Sequence, residues 1–206
     1  MVGIKNLLTK LKEKIQFWIA SGARLTHNIG LTPNQVSTIG IVFAILSAFA
    51  YWNWRLHQLL LIVAPIFLLF SGFCDVLDGA LARIFGEVTA FGGFLDSLLD
   101  RYADAIIFCG IILSGLCDPL WGLIALIGSL LVSYARARGE AAGVKMEAIG
   151  IAERAERLII LSIVSFLSIA WHEALGWGMI FLAVLTNLTV LQRVIYFRKF
   201  SRQKKE

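Results

Sequence analysis

The sequence predicts an all-α integral membrane protein, with six transmembrane helices preceded by an N-terminal amphipathic interfacial helix. Three observations point there. Of 206 residues, 58% are hydrophobic and only 16% charged, whereas an average soluble domain carries about 25% charged residues. Mean hydropathy is +0.78. Apolar runs long enough to cross a bilayer recur along the chain, with short polar punctuation between them.

At the N-terminus, Ile4, Leu7, Leu8, Leu11, Ile15 and Trp18 recur at helical spacing, and Lys5, Lys10, Lys12 and Lys14 occupy much of the remaining surface. That pattern suits a helix lying in the headgroup plane rather than a signal peptide, which needs a continuous apolar core. Spans are expected near 35–54, 58–84, 90–115, 119–138, 154–172 and 175–197. Asn53-Trp54-Arg55, Gly86-Glu87 and Cys117-Asp118-Pro119 separate them, and Pro65 is a candidate kink. With no repeat or linker in view, the chain reads as one domain over 1–206: interfacial helix 1–30, six-span bundle 31–200 and basic tail 201–206.

Three cysteines give no disulfide framework. The net charge of +5 is not a nucleic-acid signature in such a chain; basic residues beside spans report orientation and anionic headgroups. With six spans, the N-terminus, the 85–89 and 139–153 connections and the tail share one side and nearly all the basic residues. The other side has Arg55 alone. The expectation is a multi-pass protein of the cell membrane with both termini and the active site in the cytoplasm. Trp52, Trp54, Trp171 and Trp177 then form an aromatic belt at the outer boundary. His27, His57 and His172 do not cluster and are assigned no chemistry.

Five of the six aspartates, Asp75, Asp78, Asp96, Asp100 and Asp104, fall within this apolar chain. Each carboxylate at mid-bilayer costs about 2.5–3.5 kcal/mol on insertion scales. Asp75 and Asp78 are three apart, and Asp96, Asp100 and Asp104 follow at intervals of four, so each set shares a helix face. Two helices meeting along those faces pool at least four carboxylates, which repel unless a counter-ion joins them. Divalent magnesium, manganese or calcium prefers such oxygen ligands, and the number of acids suits two ions. Pairing with Arg83 and Arg101 leaves most of the acids uncompensated. Gly79, Ala82, Gly92 and Gly93 remove bulk beside the acids. Arg83, just over a turn beyond Asp78, is suited to clamp a phosphate. Metals and arginine beside a water-accessible cleft suit a pyrophosphate substrate. A cation or proton transporter is the rival class, although paired repeats and broken helices are not evident.

The string Asp75-x2-Asp78-Gly79-x2-Ala82-Arg83-x8-Gly92-x3-Asp96-x3-Asp100 sets eight fixed positions over 26 residues. It resembles, without departure, the signature of the CDP-alcohol phosphotransferases. Thr32-Pro33-Asn34-Gln35-Val36-Ser37, leading into the first span, resembles that family's opening loop. The resemblance implies transfer of a phosphatidyl-type group from a CDP-activated lipid to an alcohol, with release of CMP. It implies that Asp75, Asp78, Asp96 and Asp100 hold the metals, magnesium first and manganese as the alternative. Asp100 would also be the general base. Asn34, Gln35, Val36, Ser37, Gly79, Arg83 and Thr89 would contact the CDP moiety. Homodimers are common in the family. Asp104 lies outside the signature; a supporting role behind the metal ligands is the preferred expectation, and packing against a polar neighbour is equally open.

For the acceptor, Ser133-Tyr134-Ala135-Arg136-Ala137-Arg138-Gly139-Glu140 and Gly150-Ile151-Ala152-Glu153-Arg154-Ala155-Glu156-Arg157 form a basic group, which Arg193 could join. Arginines there suit a phosphorylated acceptor, although arginines at span ends are also ordinary topology markers. Both strings are similar to those of the inositol-phosphate-using branch, the phosphatidyl- and archaetidylinositol phosphate synthases. That similarity makes inositol 1-phosphate the leading acceptor, with Arg136, Arg138, Arg154, Arg157 and Arg193 at phosphate-binding positions. Glycerol 3-phosphate is the runner-up. Whether the donor is ester-linked CDP-diacylglycerol or ether-linked CDP-archaeol is not legible from the residues.

Overall fold

The computed structural model describes the backbone of residues 2–147 and 149–203, and the side chains of residues 14, 16–147 and 149–201. Among these there are seven helices: α1 Val2–Asn28, α2 Pro33–Trp52, α3 Leu60–Phe85, α4 Ala90–Ser114, α5 Pro119–Ala141, α6 Arg154–Leu167 and α7 Ala174–Gln203. Local chemistry sets their ends. Thr32 and Gln35 cap the start of α2 reciprocally, with the Thr32 N–H donating to Gln35 Oε1 at 2.9 Å and Pro33 opening the helix. At α5 the cap runs one way, the Leu120 N–H donating to Asp118 Oδ1 at 2.9 Å, with Pro119 opening the helix. Gly86 and Gly115, at φ 72° and 74°, take the left-handed conformation that ends α3 and α4.

Four helices, α2, α3, α5 and α7, are long and apolar enough to cross a membrane. The expected third and fifth spans differ in kind. α4 has 25 residues but carries Asp96, Asp100, Arg101 and Asp104. α6 stops at Leu167 after 14 residues rather than reaching 172, giving about 21 Å of helix against a hydrocarbon core of about 30 Å. Ser162 and Ser165 bond back to the carbonyls of Leu158 and Leu161, and Ser168 to that of Ser165, a pattern that bends helices and slightly weakens them. The first expected element is helical, but Ile4, Lys5, Leu7, Leu8, Lys10, Leu11, Lys12 and Ile15 lie outside the described side chains. Lys14 and Trp18 are exposed.

α2 is the central element, packing against both α3 and α4, which touch one another only sparsely. α5 packs on α7 and α4, and α6 packs on α3 and α7. Small residues permit the closest approaches: a Cβ at Gly110 of α4 would lie 2.6 Å from Ala48 Cα of α2. Polar bonds cross between helices, as Ser47 Oγ donates to the Ala64 carbonyl at 2.8 Å and Tyr51 Oη lies 2.6 Å from Ser165 Oγ. The core is apolar, built on Tyr51, Leu68, Ile107, Ile111, Leu161, Leu175, Met179 and Leu182. Outside it, Ile45, Phe49, Ile66, Phe70, Phe73, Phe181, Leu188 and Leu191 are exposed, as suits a surface solvated by lipid rather than water. This is an all-α membrane protein.

At the end of the bundle away from the aspartates, Trp52, Trp171 and Trp177 are exposed. Trp54 is partly buried, its Nε1 donating to the Ser114 carbonyl at 3.1 Å and its ring beside His172.

Candidate metal and nucleotide site

The last three turns of α3 and the first three of α4 converge over the N-terminal turns of α2. Oxygens of Asp75, Asp78 and Asp96 come within 4.8 Å of one another, a hard-donor set of the kind magnesium and manganese take. Ser37, one turn into α2, donates its hydroxyl to Asp78 Oδ2. That bond ties the buried Asp78, only 4% exposed, to the helix opposite. Asp100 completes the rim: Ser37, Gly40, Asp75, Asp78, Asp96 and Asp100, among others, enclose a cavity of about 10 Å³, room for one water-sized body. Expectation and geometry differ in how the cup is made, because α2 bridges α3 and α4 and supplies its floor.

Beside the carboxylates opens a larger cavity of about 320 Å³, within the size range of small-molecule sites. Asn34, Ser37, Gly79, Arg83, Thr89 and Gly92 line it, with Asp78 and Asp96 at its inner end. Arg83 folds back over Gly79, where a Cβ would stand 3.1 Å from Arg83 Nη1. A Cβ at Gly92 would stand 2.9 Å from Thr89 Oγ1 and 3.2 Å from Asn34 Oδ1, so the missing side chain is what keeps this mouth open. Thr89 also caps α4, accepting the Gly92 N–H at 2.9 Å. Two expected contact residues face elsewhere. Gln35 is engaged in the α2 cap, and Val36 packs into a small core with Ala23, Leu77 and Leu81.

On the other flank an apolar groove of about 790 Å³ runs between α1, α3 and α6, lined by Trp18, Ile19, Leu68, Gly72, Phe73 and Leu158 among others, and reaching Asp75. Sequence periodicity gave no hint of this groove, because its walls come from three helices far apart in the chain.

Four of the five candidate arginines pair with acidic side chains. Arg154 Nη1 lies 2.6 Å from Asp75 Oδ2 and 2.7 Å from Asp100 Oδ1, and its Nε lies 3.3 Å from Asp104 Oδ1. Arg157 Nη2 donates to Asp104 Oδ2 at 2.7 Å. Arg193, 2% exposed, clamps the connection before α6: its guanidinium donates to the carbonyls of Ile149 and Val132 and to Glu153 Oε1. Arg136 pairs with Glu140 at 3.0 Å. Arg138 is exposed and shares with Arg193 the lining of a cavity between α5 and α7. Arg154 therefore reaches the carboxylate cup, Arg157 stands behind it on Asp104, and Arg136 and Arg138 of α5 and Arg193 of α7 lie around the connection from α5 to α6.

Three comparisons bear on this arrangement. A family model described as CDP-alcohol phosphatidyltransferase matches residues 30–190. The archaetidylinositol phosphate synthase of Pyrococcus horikoshii is 40% identical over 193 residues, covering 94% of this chain and 97% of that protein. The crystal structure of Mycobacterium tuberculosis phosphatidylinositol phosphate synthase with CDP-DAG bound superposes with a TM-score of 0.75 at 32% identity, covering 87% of this chain and 92% of that one. The same enzyme in complex with manganese and citrate matches with a TM-score of 0.75 at 32% identity, covering 87% and 88%.

Proposed function

We propose, since this chain belongs to the CDP-alcohol phosphatidyltransferase family, that it transfers the phospholipid moiety of a CDP-activated lipid to inositol 1-phosphate and releases CMP. The observation that carries the reading is the juxtaposition of the Asp75, Asp78 and Asp96 oxygens with the cavity lined by Asn34, Gly79, Arg83 and Thr89.

The residues fit a divalent cation by donor type and spacing, and we take it to be magnesium or manganese, with two ions in the working site. Asp75, Asp78, Asp96 and Asp100 would hold them. Such ions, when bound, neutralise a pyrophosphate and stabilise the departing CMP. The remaining work falls to the chain. Arg83 supplies a guanidinium for a phosphate of the nucleotide, and Asn34 and Thr89 supply polar contacts at the mouth. Gln35 and Val36 contribute by setting the start of α2 rather than by touching nucleotide. The apolar groove beside Asp75 receives a lipid chain, holding it by packing, since the chain moves there from lipid and not from water. In the transfer, a hydroxyl oxygen of the acceptor bonds to the lipid-side phosphorus and the bond from that phosphorus to CMP oxygen breaks. The hydroxyl proton passes to the Asp100 carboxylate. Orientation and charge compensation account for most of the acceleration in such a reaction.

Arg154, beside the cup, is the arginine best placed to meet the phosphate of the acceptor; Arg136, Arg138, Arg157 and Arg193 extend the positive field that draws it in. We read α4 and α6 as the remaining two helices of a six-helix bundle in the membrane, with α1 at the interface. Both chain ends and the cup face the cytoplasm, where water-soluble acceptor is found, and two copies associate in the membrane.

The test is CMP release by the purified protein from CDP-diacylglycerol and from CDP-archaeol, with inositol 1-phosphate or glycerol 3-phosphate, with and without EDTA. The reading expects release that needs inositol 1-phosphate and stops with EDTA. Release with glycerol 3-phosphate alone would overturn the acceptor assignment.

A further inference from the structure

Asp104 has no part in the reaction described above. It sits one turn beyond Asp100 on the same face of α4, is 6% exposed, and borders neither the carboxylate cavity nor the nucleotide cavity. Both its oxygens are engaged by arginine: Oδ2 by Arg157 Nη2 at 2.7 Å and Oδ1 by Arg154 Nε at 3.3 Å. Arg157 is fixed, being 3% exposed with its Nη1 donating to the Ala152 carbonyl at 3.2 Å. Arg154 is held differently. Its Nη1 reaches Asp75 at 2.6 Å and Asp100 at 2.7 Å, yet aims no N–H squarely at either.

One guanidinium therefore straddles three carboxylates. Any cation coordinated through Asp75 Oδ2 or Asp100 Oδ1 competes for the very oxygens that Arg154 Nη1 touches. Arg154 also lines the cavity of about 10 Å³, so its head group borders the space between the metal-binding acids. How strongly that head presses on Asp75 and Asp100 depends on how much of its charge is answered at the other edge, by Asp104.

We propose that Asp104 is a positioning residue: by holding the Nε edge of Arg154 it limits that guanidinium's grip on Asp75 and Asp100, and so sets the cup's affinity for divalent cations. The inference rests on the reading of the cup as a cation site. Neutralising Asp104 turns a charge-assisted bond into an ordinary one, and Arg154 then leans further onto the two metal-binding acids. Removing the charge of Arg154 does the opposite.

The experiment measures Mn²⁺ affinity directly, by electron paramagnetic resonance titration of the full chain in detergent micelles. Arg154→Gln should bind Mn²⁺ about tenfold more tightly than wild type, and Asp104→Asn about tenfold more weakly, the scale seen for residues behind metal ligands. Asp104→Glu should recover most of the loss. The double variant Asp104→Asn/Arg154→Gln should bind like Arg154→Gln alone. Tighter binding that is lost again in the double variant would mean that Asp104 acts through its own field, and would overturn the proposal. So would Arg154→Gln with unchanged or weaker Mn²⁺ affinity, a result decisive even if Asp104→Asn fails to fold. Wild-type protein that binds no Mn²⁺ would instead overturn the cation-site reading itself.

Discussion

Adding a single methyl group at Gly92 should damage both the start of α4 and the nucleotide cavity. A Cβ there stands 2.9 Å from Thr89 Oγ1 and 3.2 Å from Asn34 Oδ1, the first closer than a methyl and a hydroxyl tolerate. Thr89 cannot simply turn away, because Oγ1 accepts the Gly92 N–H at 2.9 Å as the cap of α4. Losing a threonine cap costs about 1 kcal/mol, which for a chain of this size lowers the melting temperature by about 2–4 °C. Displacing Asn34 and Thr89 from the cavity mouth forfeits about one hydrogen bond to nucleotide, again about 1 kcal/mol, or about a fivefold rise in KM for the CDP-lipid. The assay pairs thermal unfolding in detergent with CMP release over a range of CDP-lipid concentrations. Gly93→Ala is the comparison for stability, since a Cβ at Gly93 meets nothing within 4 Å, and it should not lower the melting temperature. A Gly92→Ala variant with wild-type melting temperature and KM would refute both the cap argument and the placing of nucleotide in this cavity.

Ser37→Ala removes the hydroxyl that bonds buried Asp78. A hydrogen bond to a charged group contributes about 1.5–3 kcal/mol, so kcat/KM should fall at least about tenfold; unchanged kinetics would separate Ser37 from the carboxylate cup. Gly110→Ala drives a methyl to 2.6 Å from Ala48 Cα at the contact of α2 with α4. Overpacking of that kind costs about 1–3 kcal/mol, read as a lower melting temperature, and an unaltered one would mean the helices are less closely fitted than described. Chelation by EDTA should abolish CMP release, and added magnesium or manganese should restore it.

The main lines of fold and site were legible because they rest on local spacing. Thr32-Pro33 and Gly86 act within one turn of chain, so the start of α2 and the end of α3 lie within two residues of where neighbours alone put them. The intervals between Asp75 and Asp78, and between Asp96 and Asp100, fix helix faces for the same reason. What was hidden depends on distance along the chain. Asp104 finds its partners 50 and 53 residues away, at Arg154 and Arg157. The apolar groove draws on α1, α3 and α6, and no periodicity within one helix reports such a surface. The role of α2 as the floor between the acidic helices was invisible too, since Ser37 lies 41 residues from Asp78. The end of α6 was expected near 172 because hydropathy goes on to count Ile169, Ala170 and Trp171, although the helix stops at Leu167.

Anomalous diffraction from crystals grown with manganese tests the central claim most directly. The account predicts a strong anomalous peak bounded by the carboxylates of Asp75, Asp78 and Asp96, lost in the Asp78→Asn variant. Manganese bound only elsewhere on the chain, with those three carboxylates left to hydrogen bonds and arginine, would contradict it.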